Sequence, residues 1–119
     1  MSVSRGDIVL ALFPFTDASG AKKRPALVVQ CNRNNRRLED VILALITSNT
    51  QRALVEPTQF LIDLSTAEGR QAGLLHDSTV KCEHLMTVHK RLVDRVIGHL
   101  SPALMQQVEE CLRVSLELS

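Results

Sequence analysis

Three segments of the chain place charged or hydroxyl side chains where a phosphate could be held. Arg24 directly precedes Pro25. Proline pushes the residue before it toward extended backbone, so the guanidinium is expected at the junction of a loop and a strand. Its planar fork stays charged and matches two phosphate oxygens at once, which a lysine ammonium cannot do. Thr47-Ser48-Asn49 ends an apolar run abruptly, offering two hydroxyls and an amide that can hydrogen-bond a phosphate or a base edge. In Lys81-Cys82-Glu83 the two-residue repeat of a strand puts Lys81 and Glu83 on one face and Cys82 on the other. A carboxylate there can take a proton from a hydroxyl while the neighbouring cation stabilises developing negative charge. Each segment has a plainer reading too: a surface arginine, an ordinary polar turn, and an ion pair on a solvated strand.

Other reactive residue types form no such pattern. His76, His84, His89 and His99 fall at no metal-ligand spacing and beside no nucleophile motif. They read as surface or packing residues, with His84, next to Glu83, as a spare acid or base. Cys31, Cys82 and Cys111 are odd in number and widely separated, which points away from a disulfide framework or zinc site and suits a reducing cytoplasm. Phe13, Phe15 and Phe60 are the only aromatics, too few for a stacking platform along single-stranded RNA. The apolar N-terminal run is interrupted at Pro14 long before a membrane span, and no signal-peptide pattern is visible. Net charge is +1, yet residues 1–37 carry seven Lys and Arg against two acids, a surplus of five that leaves −4 for the remainder. That split fits either a local anion-binding face or a mixed-sign solvated surface.

The elements that must position these residues are mostly strands. Asp7–Phe13 (DIVLALF) is a short apolar run ended by Pro14, and PFTDASGAKK is a loop by its Pro, Asp, Ser and Gly content. Pro25 opens the strand PALVVQ, completing a hairpin. Asn32–Arg37 (NRNNRR) reads as a polar loop or strand end, and Glu39–Ile46 as a further strand stopping at TSNTQR. Gln59–Leu64 is another strand, STAEGRQAG a bend or loop, and Thr79–Glu83 with Leu85–Val88 supply one or two more strands. The one firm helix follows Ser101 and Pro102, with Leu104, Val108, Cys111, Leu112, Ser115 and Leu118 on one face. The 119 residues fit a single domain, mainly β with helices, in which about five short strands form a small sheet or barrel.

The segments GDIVLALFPFTD, KKRPALVVQ, ILALITSN and the stretch from Gly73 to the last helix, including IGHLS, together resemble the MazF/PemK family of toxin endoribonucleases. The resemblance runs in order from Gly6 to the C-terminal helix. It implies a small SH3-like β-barrel with a C-terminal helix, acting as a homodimer that cleaves single-stranded RNA at short motifs without metal or cofactor. It also implies a cognate antitoxin whose acidic, flexible tail occupies the RNA groove. By position, Arg24 matches the family's catalytic arginine and Thr47 its strand-end threonine, while Lys81 and Glu83 stand where some members have arginine and aspartate. Lys23, Ser48, Asn49, Arg52 and the loop residue Phe15 are the positions expected to meet RNA. The first loop departs from some relatives in lacking a histidine; Asp17 is its only acid. A non-catalytic barrel used for binding, or a decayed toxin, is the competing reading. A gyrase poison on the same barrel would need a C-terminal tryptophan, and the chain has no Trp.

Overall fold

A computed structural model describes residues 2–13 and 22–119. Strands β1 (Asp7–Phe13), β2 (Lys22–Val28), β3 (Asp40–Thr47), β4 (Gln59–Ile62), β5 (Ser78–His89) and β6 (Val93–His99) alternate with helices α1 (Asn32–Arg37), α2 (Ala67–Arg70) and α3 (Pro102–Leu116). A 3-10 turn, Lys90–Leu92, joins β5 to β6. The strands form one antiparallel sheet in the order β4-β5-β3-β2-β1-β6. Among the described residues β4 and β6 do not pair with each other, so the expected barrel is not closed by hydrogen bonds.

Residues on both faces of the sheet are buried, which is why β1 and β3 read as nearly continuous apolar runs. On one face Ile8, Leu27, Ala44, Ile46, Ile62, Val80 and Cys82 pack with Met105 and Val108 of α3. On the other, Val9, Ala11, Phe13, Ala26, Val28, Val41 and Leu43 meet Val88 and Val93. Ser101 caps α3 by accepting a hydrogen bond from Leu104 N (3.2 Å), and Pro102 occupies its first turn, as expected. Val108 is buried, and Leu104, Cys111, Leu112 and Ser115 are half-buried on the expected face. Leu118 lies past the helix end and is exposed. No helix among the described residues is long and apolar enough to cross a membrane.

Several local expectations change. Asn32–Arg37 is a helix rather than a loop or strand end. Its six residues are too few to be helical on their own, and a buried amide pair holds them: Gln30 Nε2 donates to Asn35 Oδ1 (2.9 Å) while Asn35 Nδ2 donates to Gln30 O (3.0 Å). Within STAEGRQAG, Thr66 Oγ1 accepts from Gly69 N (2.9 Å) and caps the single turn of α2. Thr79–Glu83 and Leu85–Val88 are parts of one strand, β5. β2 begins three residues before Pro25, which places Arg24 inside the strand's exposed start rather than at its junction with the loop. β6 was not anticipated; VDRVIGH mixes charged and apolar residues without a clean two-residue repeat.

Candidate active site

The cleft that holds Arg24 exists because a ladder stops early. β2 pairs with β3 only over Ala26↔Leu45, Leu27↔Ala44 and Val28↔Leu43. Pro25 lies just beyond the last pair, where it has no donor to contribute to that ladder. Continuing the same register would bring Arg24 level with Thr47, but here the two strands are no longer bonded and a space opens between them. On its other side β2 stays paired to β1, with Leu10 opposite Pro25 and Ala11 opposite Arg24.

The cleft has a volume of about 560 Å³. Lys22, Lys23 and Arg24 from β2, Thr47 and Ser48 at the end of β3, and Arg95 and Ile97 of β6 line it. Leu10, Pro25 and Ile46 lie among them, and a further wall is the segment from Gly73 to His76 together with Ser78. This wall is held against β6 by direct backbone contact. Gly73 has φ +72° and a Cβ there would lie 2.0 Å from the Ile97 carbonyl oxygen. His99 N donates to Gln71 O at 3.0 Å beside it. Lys23 Nζ sits 3.4 Å from Asp94 Oδ2, whereas Arg24 and Arg95 have neither an acidic nor a hydrogen-bonding partner among the described residues.

A smaller cavity of about 120 Å³ adjoins the cleft and is lined by Thr47, Asn49, Arg52, Gln59 and Lys81. Thr47 belongs to both walls. Thr47 Oγ1 also accepts from Asn49 N (3.2 Å), and Asn49 Oδ1 from Gln51 N (3.1 Å), so the ordinary polar turn is present as well. Lys81 pairs with Leu45 on one side and Gln59 on the other, which puts it on the same face of the sheet as Thr47. Between Leu85 and Lys81 the β5 strand carries three residues that have no counterpart between Ala44 and Leu45. Glu83 lies in this bulge. It is exposed and lines neither cavity; its Oε2 accepts from Gln59 Nε2 at 2.7 Å.

The fold thus gathers Lys23, Arg24, Thr47 and Ser48 in one cleft, and Thr47, Asn49, Arg52 and Lys81 in the next. Glu83 is tied to this second group through Gln59. Phe15 and Asp17 lie outside the described residues. Lys22, His76, Ser78, Arg95 and Gln59 are wall residues that sequence patterns did not single out. Gly73 signals a bend, but nothing local says that the bend lies against β6 and carries His76 into the cleft.

Two of the three thiols, those of Cys82 and Cys111, lie in or against the core under α3. Cys82 is fully buried, and its Sγ lies 3.9 Å from the Val108 carbonyl oxygen. Burial first, and then the neighbouring Cys111, push the Cys82 thiol up from 9.0 to about 12. Burial also raises Cys111. Both therefore stay protonated at neutral pH and are poor nucleophiles. Among the described residues no three His, Cys, Asp or Glu side chains gather in a group that could hold a metal ion.

This architecture and sequence recur in known proteins. The family model described as "PemK-like, MazF-like toxin of type II toxin-antitoxin system" matches residues 4–116. The chain belongs to this toxin family. It is 34% identical to "Endoribonuclease EndoA" of Bacillus subtilis, the alignment covering 99% of this chain and 97% of that protein. It is 39% identical to "Endoribonuclease MazF6" of Mycobacterium tuberculosis, over 99% of this chain and all of the relative. Among solved structures, an endoribonuclease in complex with its cognate antitoxin from Mycobacterial species superposes with TM-score 0.79 at 20% identity, covering 98% and 97% of the two chains. A MazE-MazF crystal structure from Deinococcus radiodurans gives TM-score 0.74 at 19% identity with both chains fully covered. These two structures share the fold of this MazF-like chain.

Proposed function

We propose that residues 1–119 form one toxin domain that acts as an endoribonuclease on single-stranded RNA in the cytoplasm, cutting messages and so stopping growth. The observation that carries this reading is the Arg24 guanidinium, which has no partner among the described residues and shares a cleft with Thr47. A buried or half-buried salt bridge would have consumed that charge; left open, it is available to a phosphate. In the reaction the ribose 2′-oxygen attacks the adjacent phosphorus as its proton passes to Glu83. The bond to the 5′-oxygen then breaks and that oxygen takes a proton from solvent, leaving a 2′,3′-cyclic phosphate and a 5′-hydroxyl. The attacking group belongs to the substrate, so this route needs no metal or cofactor.

Arg24 stabilises the charge that develops on the phosphoryl oxygens, and Lys81 adds positive field from the adjoining cavity. Thr47, between the two cavities, orients the phosphate. Lys23, Ser48, Asn49, Arg52 and Phe15 contact the RNA on either side. An arginine guanidinium suits charge stabilisation better than proton donation, and that is the role assigned to Arg24. The chain works as a homodimer, and a cognate antitoxin inhibits it by laying an acidic flexible tail along the cationic cleft. Support for the antitoxin comes from the mycobacterial neighbour, solved in complex with its own.

A single 2′-deoxy substitution at the mapped cleavage site tests this reaction. Cutting at that site should stop, and cuts in the unmodified RNA should carry cyclic phosphate ends. Cleavage that persists past the deoxyribose would rule out the 2′-oxygen as nucleophile.

A further inference from the structure

Outside the cleft lies a group of arginines with no acidic partner among the described residues. Arg33, Arg36 and Arg37 are exposed on α1 at spacings of three and four residues, so they share one side of the helix. Like charges at these spacings repel and destabilise a helix that is already short. The fold nevertheless holds it with a buried amide network, in which Asn35 Nδ2 also reaches Asn32 Oδ1 (3.1 Å) and Gln30 Nε2 reaches Asp40 O (2.9 Å).

The 3-10 turn is fastened to the same corner. Lys90 N donates to Glu39 O at 2.8 Å, and Lys90 Nζ donates to the Asn35 carbonyl. This docking adds Arg91 to Arg36 and Arg37 around a hollow of about 410 Å³. The acid in its lining, Glu39, is 3.4 Å from His89 Nε2. Among the described residues Arg33, Arg36, Arg37 and Arg91 have no acidic partner, unlike Arg5, which meets Glu109, and Arg113, which meets Glu110.

This corner is joined to the cleft by the sheet itself. The 3-10 turn runs directly into β6, where Val93 opposes Ala11, and Ala11 opposes Arg24 on the other side of β1. Two strand spacings, about 10 Å, separate the backbones of Val93 and Arg24.

We propose that the surface formed by Arg33, Arg36, Arg37 and Arg91 is a second phosphate-binding site, which holds the RNA backbone flanking the segment cut in the cleft. Arginine forks match phosphate oxygens, and Phe13 and Phe60 are buried in the cores, so the grip is on backbone rather than on stacked bases. It lengthens the bound stretch of strand without adding sequence preference. The inference rests on RNA being the substrate.

The test compares a short RNA carrying only the cleavage motif with the same RNA bearing single-stranded tails. The proteins compared are the wild type and the Arg33→Gln, Arg36→Gln, Arg37→Gln, Arg91→Gln quadruple variant. All four positions are exposed, so the fold should persist, and a thermal melt checks it. The variant's KM for the tailed RNA should rise about tenfold, and its dependence on log salt should weaken by roughly 0.7 for each phosphate it no longer neutralises. Its kcat, and its kinetics on the short RNA, should match wild type. Fluorescence anisotropy on tailed RNA with a 2′-deoxy cleavage site reads the same surface without requiring any cutting. Unchanged affinity there overturns the proposal, and so does an equal loss on the short and tailed RNAs. If the wild type cuts neither RNA, the endonuclease reading fails, while the anisotropy comparison still decides the second site.

Discussion

Arg5 and Arg24 show how differently one residue type is used at two places on the sheet. At the Arg5 corner the guanidinium is a brace. Its Nε donates to Val29 O at 3.1 Å and its Nη1 to Glu109 Oε2 at 2.9 Å, joining the N-terminus, the segment after β2, and α3. In the cleft, Arg24 stands at the start of β2, bonded to β1 but past the end of the ladder with β3, and its side chain has no partner among the described residues. The first arrangement stabilises the fold and leaves little charge for a ligand. The second has no such tie among the described residues, which leaves the guanidinium open to a ligand. Loss of Arg5 should therefore be read in stability, and loss of a cleft residue in activity.

The largest effect expected outside Arg24 comes from Glu83. As the general base it should cost about 100-fold or more in kcat when changed to Gln, with an unchanged melting temperature. A loss smaller than about threefold in steady-state cleavage would move the base role to His76, the histidine that lines the cleft. Thr47→Val keeps the shape but removes the hydroxyl, and should reduce kcat/KM by about tenfold through poorer placement of the phosphate. The turn at Asn49 would lose one hydrogen bond as well, so a matching urea denaturation curve separates the two contributions. Arg5→Ala should do the opposite of both. It should lower unfolding free energy by about 1 kcal/mol, since the ion pair is partly exposed and screened, and leave cleavage within twofold of wild type.

An effect on stability alone is expected at alkaline pH. The Cys82 thiol is raised from 9.0 to about 12 in the folded chain, so the unfolded chain releases this proton first. Stability is then full below pH 9 and falls as pH rises toward 12. Cys82→Ala should flatten that fall in a series of chemical denaturations, whatever it does to stability at pH 7. An equally steep fall in the variant would assign the alkaline loss to other groups.

The parts of this molecule that could be read from sequence are those decided by neighbouring residues. The apolar runs at Asp7–Phe13 and Glu39–Ile46, the second one residue off the observed β3, the Ser101-Pro102 helix start and the strand-end position of Thr47 are all local signals. Arg24 was legible through Pro25, although the strand begins earlier than proline implied. The rest depends on contacts between distant segments. NRNNRR is a helix because Gln30 and Asn35 bury their amides against each other. His76 and Arg95 enter the cleft because Gly73 lets the backbone approach Ile97. Lys81 and Glu83 do alternate as expected, yet the β5 bulge carries Glu83 past the cavity that Lys81 lines. The residue types were visible; the distances among them come from register, bulge and close backbone approach.

The most direct test of the central claim is to incubate the wild-type chain and Arg24→Ala with a mixed-sequence RNA in EDTA and identify the ends produced. Discrete cuts by the wild type are expected, with 2′,3′-cyclic phosphate and 5′-hydroxyl ends, and a rate at least about 100-fold lower for Arg24→Ala at equal stability. No cleavage by the wild type, or equal cleavage by the two proteins, would contradict it.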